Sequence, residues 1–441
     1  VRRYPDITHL VRCQYPVDDW DPAFAHLLNR EAICPRPRAI AHIHNLYAPH
    51  ASGFGTYSDG VHDDLNKFVW SALGWNPEEP IERIVQAYAD LFFGDAQAEA
   101  GAAALFALEE NWVGPILDNH RISQTLEQWK ALWNARDTAQ DPNWRLQMYL
   151  MRAYYDAYVQ EKAQKERAQE ATANEELARA TEVGPKAAIA AARATLADTT
   201  LSPKAQEYRK EIEGLAAALL KSIGFQFSIK PPYRARNAER GALLDTLDQP
   251  LNNRLWLETQ FVAILELPSE AEQEARVLQL ATWEQPGEGS FYDDLGNLTK
   301  QPHVVRQKTW AEDPGGVGSA MVEFQMAMKS DTLELSTQRL SWLDQAKTLY
   351  GTPLLMRYEG LDPSATYRLR VTYAGRYNAT MTLTADGTHQ IHGPLPQPNP
   401  VAPQEFEIPA AATADGVLDL SWELVKGRGC QLAEVWLLKK E

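Results

Sequence analysis

Apolar residues cluster at three places near the start of the chain, and each cluster stops in polar side chains. Residues 7–15 read as a buried strand ending in Cys13, Gln14 and Tyr15. Residues 39–47 read as a second strand, ending in His44 and Asn45. Residues 54–57 form a short extended run that ends at Asp59 and Gly60, and Asp63, Asp64, His62 and Lys67 follow within a few positions. An apolar, Trp-rich helical pattern begins at Leu65. Between the first two strands, Asp21 before Pro22 is a helix start, with a capping carboxylate and Pro at the first helical position. A strand that ends in a polar cluster and runs into a helix is the repeating unit of α/β barrels, whose strand C-termini carry the chemistry. Residues 1–75 are therefore expected to be the terminal part of a TIM-type barrel, with Gln14, His44, Asn45, Tyr57 and Asp59 on one rim.

From residue 76 the pattern becomes helical. Asn76-Pro77-Glu78-Glu79 is a start signal, and helices are expected over 95–111, 122–134, 142–180, 185–197 and 203–223. Trp144, Met148, Met151, Tyr155 and Tyr158 fall on one helical face and predict core. Residues 162–179 lack large side chains and alternate in charge, which predicts a solvent-exposed helix. Residues 226–282 read as a polar linker with helices, rich in Arg and carboxylates. Beyond residue 283 the period drops to two. Strands are expected at 354–358, 367–373, 380–384, 404–408, 417–424 and 433–438, with turns at Asp362-Pro363, 385–387 and Asp415-Gly416. The expected fold class is multidomain α+β: C-terminal strands of a (β/α)8-type barrel, an α-helical bundle over 76–225, the linker, and a β-sandwich over 283–441.

Residues 57–70, followed by Tyr88-Ala-Asp-Leu-Phe-Phe-Gly94, resemble the end of the barrel in large bacterial proteins similar to glycoside hydrolases of the α-glucuronidase and hexosaminidase type. In that group the last strand leads into a helical domain. A C-terminal β-domain follows, which Arg428, Gly429 and residues 433–439 resemble; the strand order looks like a carbohydrate-binding jelly roll. The resemblance implies a carbohydrate-active protein, a glycoside hydrolase or part of one. The group's main acid/base carboxylates sit on a middle barrel strand, and that part of the barrel is absent from this sequence.

Composition narrows the partners. The 441 residues carry a formal net charge of −16, a poor match for nucleic acid, whose affinity comes from Lys and Arg. No apolar run reaches the length of a membrane-spanning helix. The first residues do not read as a signal peptide; an upstream one would send the protein to the periplasm or outside the cell, and without one it is expected in the cytoplasm. Cys13, Cys34 and Cys430 are too far apart for a disulfide framework or a CxxC metal site and are expected as free thiols.

Glycoside hydrolysis needs two carboxyl groups flanking one bond. Asp59, at a strand end, is the best candidate catalytic carboxylate. Gln14, Tyr15, His44, Asn45, Tyr57, Asp63 and Asp64 are the candidate substrate-binding residues, the tyrosines because rings offer flat apolar area with a polar handle. Asp63 and Asp64 have a plain alternative as helix caps, and Lys67 as the i,i+4 partner of Asp63. His42 and His44, with Asp59 or His62, could in principle hold a metal, but no metal and no cofactor are expected. Asp293, Asp294 and Asn297 offer oxygens suited to Ca²⁺, with an Asx-turn as the plain alternative. No phosphate loop, dinucleotide fingerprint or nucleophile elbow occurs.

Two functions stay open. One is a glycoside hydrolase acting on poly- or oligosaccharide with two carboxylates. The other is a non-catalytic glycan-binding or scaffolding fragment lacking the main acid/base pair. A strand at 7–15 with a bare edge would pair with a missing barrel half or with another copy. The expected outcome for the isolated chain is self-association in light scattering; a monodisperse monomer at high concentration speaks against that edge.

Overall fold

The computed structural model describes residues 2–140, 142–329 and 331–440. In chain order the helices and strands are β1 (Arg2–Arg3), α1 (Pro22–Leu28), α2 (Pro37–Tyr47), β2 (Gly53–Phe54), α3 (Asp64–Trp75), α4 (Ile81–Phe93), α5 (Ala98–Glu110), α6 (Arg121–Ala135), α7 (Trp144–Ala178), α8 (Ala180–Val183), α9 (Pro185–Leu196), α10 (Pro203–Ile223), α11 (Arg254–Leu265) and α12 (Glu270–Ala281). Strands β3 (Phe291–Asp294), β4 (Val304–Val305), β5 (Met321–Phe324), β6 (Asp344–Lys347), β7 (Leu354–Glu359), β8 (Tyr367–Thr372), β9 (Thr380–Ala385), β10 (His389–Pro396), β11 (Pro403–Ile408), β12 (Val417–Lys426), β13 (Gln431–Leu432) and β14 (Glu434–Lys439) complete it. The chain is mixed α and β and divides into two compact units. One holds Val1–Gln164, Leu201–Gln249 and Met328–Leu335; the other holds Lys165–Thr200, Pro250–Ala327 and Ser336–Glu441. The helices expected as one domain over 76–225 are thus shared between the units.

In the first unit, two of the expected strands do not form. Residues 39–47 lie in helix α2. Ile40 and Ile43 sit three apart and both are buried, which is helical spacing. Pro37 opens the helix. Its next two amides, Arg38 N and Ala39 N, donate to the Glu109 carboxylate at 2.8 and 2.9 Å, a cap supplied from α5. Residues 7–15 are irregular. Asp6 Oδ1 accepts from Thr8 N and His9 N, both at 3.1 Å, so the chain turns where it was expected to extend. What remains of parallel pairing is short: Arg2 opposite Gly53, Arg3 opposite Phe54, and a bridge between Asp6 and Tyr57.

Helix α7 carries the expected core stripe. Met148, Met151, Tyr155 and Tyr158 are fully buried. Buried among them is Arg152, which donates to Asp156 Oδ1 at 2.8 Å, Ile33 O at 2.7 Å and Leu108 O at 3.2 Å. Asp156 also accepts from Asn111 Nδ2 at 2.9 Å and Trp112 Nε1 at 3.3 Å. One ion pair therefore joins α7 to α5, to the loop before α2 and to the loop after α5. The later part of α7 corrects a second expectation. Ala173 and Leu177 are fully buried in a core with Ile189, Trp256 and Phe261. Small side chains there let helices approach rather than mark a solvent-facing arm.

In the second unit, two antiparallel sheets share one core. Their strand orders are β10-β9-β12-β7-β4 and β11-β8-β14-β3. Leu354, Met356 and Tyr358 from the first meet Tyr367, Leu369 and Val371 from the second in a single cluster. Polar and charged side chains take most of the alternating outer positions, and Arg357 faces Asp419 across β7 and β12 with bonds of 2.7 and 2.6 Å. A third sheet has the strand order β13-β6-β5, and its Ala346 and Leu432 join the same core. Strand β10 escaped the sequence reading because Gly393, Pro394 and Pro396 break its pattern; as an edge strand it tolerates them. Strand β14 has two buried faces. Val435 and Leu437 belong to the sheet core, while Trp436 belongs to the helical core with α9, α11 and α12.

Glu434, next to Trp436, is fully buried. Its carboxylate accepts from Arg339 Nε at 2.9 Å, Trp283 Nε1 at 3.1 Å, Tyr292 OH at 2.8 Å, Ser341 Oγ at 2.8 Å and Trp342 Nε1 at 2.5 Å. Desolvation disfavours both charges of this pair, and mutual attraction plus five donors offsets that cost.

Breaking a buried pair by removing one partner costs about 3–5 kcal/mol. Arg152→Ala, which strands Asp156, is expected to lower unfolding stability by that amount in urea titrations. Arg209→Ala, which removes the partner of the largely exposed Asp248, is expected to cost under ~1 kcal/mol. Equal losses for the two variants would contradict this account.

Candidate functional site

Asp59 is drawn into a charged cluster at the end of the short parallel pairing. The bridge between Asp6 and Tyr57 holds the two segments side by side, with Tyr57 N on Pro5 O at 2.8 Å and Ile7 N on Tyr57 O at 3.3 Å. Asp6, by its turn, swings His9 across to the other segment. His9 Nδ1 lies 2.8 Å from Asp6 Oδ2. His9 Nε2 lies 3.2 Å from both Glu31 Oε1 and Asp59 Oδ2. Arg240 Nη1, contributed from far along the chain, sits 2.8 Å from Glu31 Oε1 and 3.0 Å from Asp59 Oδ2. The side chains of His9 and Glu31 are each 2% exposed, whereas Asp59 is 20% exposed. Tyr57 stacks at a tilt 5.3 Å from the His9 ring and is 42% exposed.

The electrostatics follow from this packing. Burial pulls the His9 pKa down, but hydrogen bonds to Asp6 and Glu31 outweigh it and raise it to about 9. His9 is therefore an imidazolium at neutral pH. Burial raises the Glu31 pKa, the His9 bond opposes that rise, and the Asp59 charge reinforces it. Burial works against the Arg240 charge, but Glu31 and Asp59 more than compensate and raise its pKa. Three carboxylates thus face two cations in a small volume.

One donor atom each from His9, Glu31 and Asp59 lies within 4.8 Å of the others, the only such set among the described residues. A histidine and two carboxylates are a plausible donor set for a transition metal. Here each donor already serves a cation: Arg240 holds both carboxylates, and His9 carries a proton. A metal would have to displace both.

The other nominated residues divide. Gln14 joins the cluster's edge, its Oε1 accepting from Asp6 N at 3.0 Å. Asp63 is fully buried, accepting from Thr8 Oγ1, from Ser58 Oγ at 3.0 Å and pairing with Lys67 at 3.1 Å. Asp64 opens α3 and is held by Arg145 Nε at 2.8 Å and Tyr88 OH at 2.7 Å. Both carboxylates brace the fold. His44 and Asn45 lie on α2, not at a strand end, so the expected single rim is not formed. His44 Nδ1 contacts Asn45 Oδ1 at 2.8 Å, and the His44 ring meets Trp70 edge-on at 4.9 Å. With Tyr47, Phe54 and Pro77, His44 lines a cavity of about 330 Å³. Tyr15 is buried beside Tyr47 at 6.4 Å. His62 is buried, which lowers its pKa to about 4, so it is neutral.

Asp293, Asp294 and Asn297 spend their oxygens separately. Asp293 faces His303 at 3.0 Å and Tyr358 OH at 2.9 Å. Asp294 accepts from Gly296 N at 3.1 Å, and Asn297 from Thr299 N at 3.1 Å. All three cysteines are free thiols.

Sequence reasoning missed His9, Glu31 and Arg240. His9 had a local signal, the Asp6-x-x-His9 turn. Glu31 and Arg240 are separated by 209 positions and had none.

No protein-family model matches the chain, and no curated protein matches it. Among solved structures, one match is described as a family GH115 4-O-methyl-α-glucuronidase with specificity for decorated arabinogalactans. The alignment covers 99% of this chain and 51% of that one, at 9% identity and a TM-score of 0.33. This chain therefore spans about half the length of that protein.

The raised pKa of His9 makes a pH prediction. A group whose folded pKa exceeds its unfolded value of 6.5 adds stability below that value and loses it as pH rises through about 9. Wild-type unfolding stability is expected to fall between pH 7 and 9.5, by at most ~3 kcal/mol. His9→Gln is expected to flatten that slope. An unchanged slope in denaturant titrations of the variant would assign it to other groups.

Proposed function

We propose that this chain is a carbohydrate-active protein of glycoside-hydrolase type, whose sugar site is built on Asp59 and Glu31. In this reading residues 1–75 are the end of a (β/α)8-type barrel, supported by the parallel register of β1 on β2 and the step from β2 through a polar cluster into α3. The two sheets over one core are then a β-sandwich of jelly-roll type.

The observation that carries the reading is the carboxylate pair. An oxygen of Glu31 and an oxygen of Asp59 lie within 4.8 Å. A pair no farther apart than that lies at or below the ~5–5.5 Å of retaining glycosidases and is too close for the water of an inverting pair. The roles divide by environment. Glu31, whose pKa burial raises, is assigned the general-acid role, because of the two it more readily takes up the proton that a leaving oxygen needs. Asp59, more exposed and facing Arg240, is the partner that meets the developing positive charge at the sugar carbon. Tyr57 and Gln14 supply an apolar face and an amide at the edge.

One observation favours a second reading, a non-catalytic glycan-binding fragment. Glu31 is almost wholly enclosed, and both His9 and Arg240 already bond it.

Asp59→Asn and Glu31→Gln in the full chain separate the readings, assayed on a panel of aryl glycosides and oligosaccharides with unfolding curves alongside. A hydrolase loses about 10²–10⁴ in turnover with each variant, and Asp59→Asn keeps stability within ~1 kcal/mol of wild type. Absence of wild-type hydrolysis, with sugar binding that Asp59→Asn abolishes, supports the second reading. Variants that hydrolyse and bind like wild type remove this cluster from both.

A further inference from the structure

The second unit contains a cavity of about 380 Å³, at the lower end of the range for small-molecule sites. Helix α11 contributes Trp256 and Gln260, helix α12 Arg276 and Gln279, and Trp283, Trp342 and Arg370 close it. Three features make it more than a gap. The first is a rigid aromatic wall. The indole N–H groups of Trp283 and Trp342 both end on the buried Glu434, at 3.1 and 2.5 Å, which fixes the planes of the two rings. Trp256 meets Trp283 edge-on at 5.1 Å and completes the wall.

The second is an uncompensated cation. Arg276 donates to Gln260 Oε1 at 3.0 Å and to Gln279 Oε1, both neutral amides. No carboxylate pairs with it among the described residues. Arg370, by contrast, is held by Glu405 at 2.9 and 2.6 Å. A guanidinium has five N–H donors, so Arg276 keeps several after its two amide bonds. Burial, and the nearby charge of Arg370, depress the Arg276 pKa. The third is Trp256 Nε1, which is buried and has no hydrogen-bond partner.

We propose that this cavity is a binding site for a ring-shaped carboxylate, with the carboxylate on Arg276 and the ring against the tryptophan wall. The planar guanidinium fork matches a carboxylate in two parallel bonds. Fixed indole faces match either the C–H face of a sugar ring or an aromatic ring. An incoming anion supplies the charge that Arg276 lacks. The gain is large because the cleft is partly desolvated and its wall is already ordered.

The full-length chain, titrated with trigalacturonate, with benzoate and with neutral galactotriose, tests this by calorimetry and tryptophan fluorescence. Saturable binding of at least one acid is expected, with at least 10-fold weaker affinity in Arg276→Gln and little loss in Arg357→Gln, an arginine of another surface. Arg276→Lys keeps the charge without the fork and is expected to fall between. Binding of trigalacturonate identifies the ligand class as acidic saccharide; binding of benzoate alone identifies it as aromatic acid. No saturable binding of either acid, equal binding of galactotriose, or unaltered affinity in a folded Arg276→Gln would overturn the proposal. Asp59→Asn and Glu31→Gln leave this binding intact, so its outcome is independent of the first site.

Discussion

A charge taken out of water must meet its counter-charge and fill its hydrogen bonds, and the internal order of each unit rests on that constraint. Arg152 and Asp156 meet it inside α7, where the guanidinium also satisfies the carbonyls of Ile33 and Leu108. Glu434 meets it on β14, where one carboxylate gathers an arginine, two indoles, a phenol and a hydroxyl. Such groups contribute less net stability than apolar residues of equal volume would. What they impose is geometry, because each donor must arrive at one point from a different element.

That geometry reaches the two candidate sites differently. At the cavity of the second unit, Glu434 lies behind the tryptophan wall and holds it from the rear, so the ring faces are ordered without using the cavity's own polar groups. Arg276 remains able to serve a ligand. At the Asp59 cluster the polar groups bind one another. His9, Glu31, Asp59 and Arg240 lie within ion-pair distance of one another, and a ligand would have to compete with Arg240 for the carboxylates. A closed network of this kind suits a group whose protonation is held in reserve, and it equally suits a structural clamp. The difference lies in Asp59, the carboxylate of the set with the most access to solvent.

The helices α5, α6, α7, α9 and α10 were legible because helix termini carry chemistry of their own. Pro185 and Pro203 open helices, Ser202 caps Ala205 N at 3.1 Å, and Gly224 takes the left-handed conformation at φ 71° that ends α10. The outer strands of the β region were legible for the same local reason, alternation between turns. Residues 39–47 misled because an Ala, Ile and His mixture fits either period, and the deciding cap is Glu109, some seventy positions away. Residues 7–15 misled because their mixture of apolar and polar residues does not reveal that Asp6 folds the backbone back on itself.

By itself, then, the sequence determined the mixed α and β composition, the approximate limits of α5, α6, α7, α9 and α10, the six longest antiparallel strands apart from β10, the free thiols, and Asp59 as a carboxylate worth watching. These depend on residues within a few positions of one another, and local sterics and periodicity suffice to specify them. Tertiary structure alone decided that Glu31 and Arg240 join Asp59, that Asp63 and Asp64 turn inward, that α7 is shared by two units, and that Arg276 stands before a wall of three tryptophans without a counter-charge. Each of those outcomes depends on which distant side chain reaches a buried group first, and no local pattern records that.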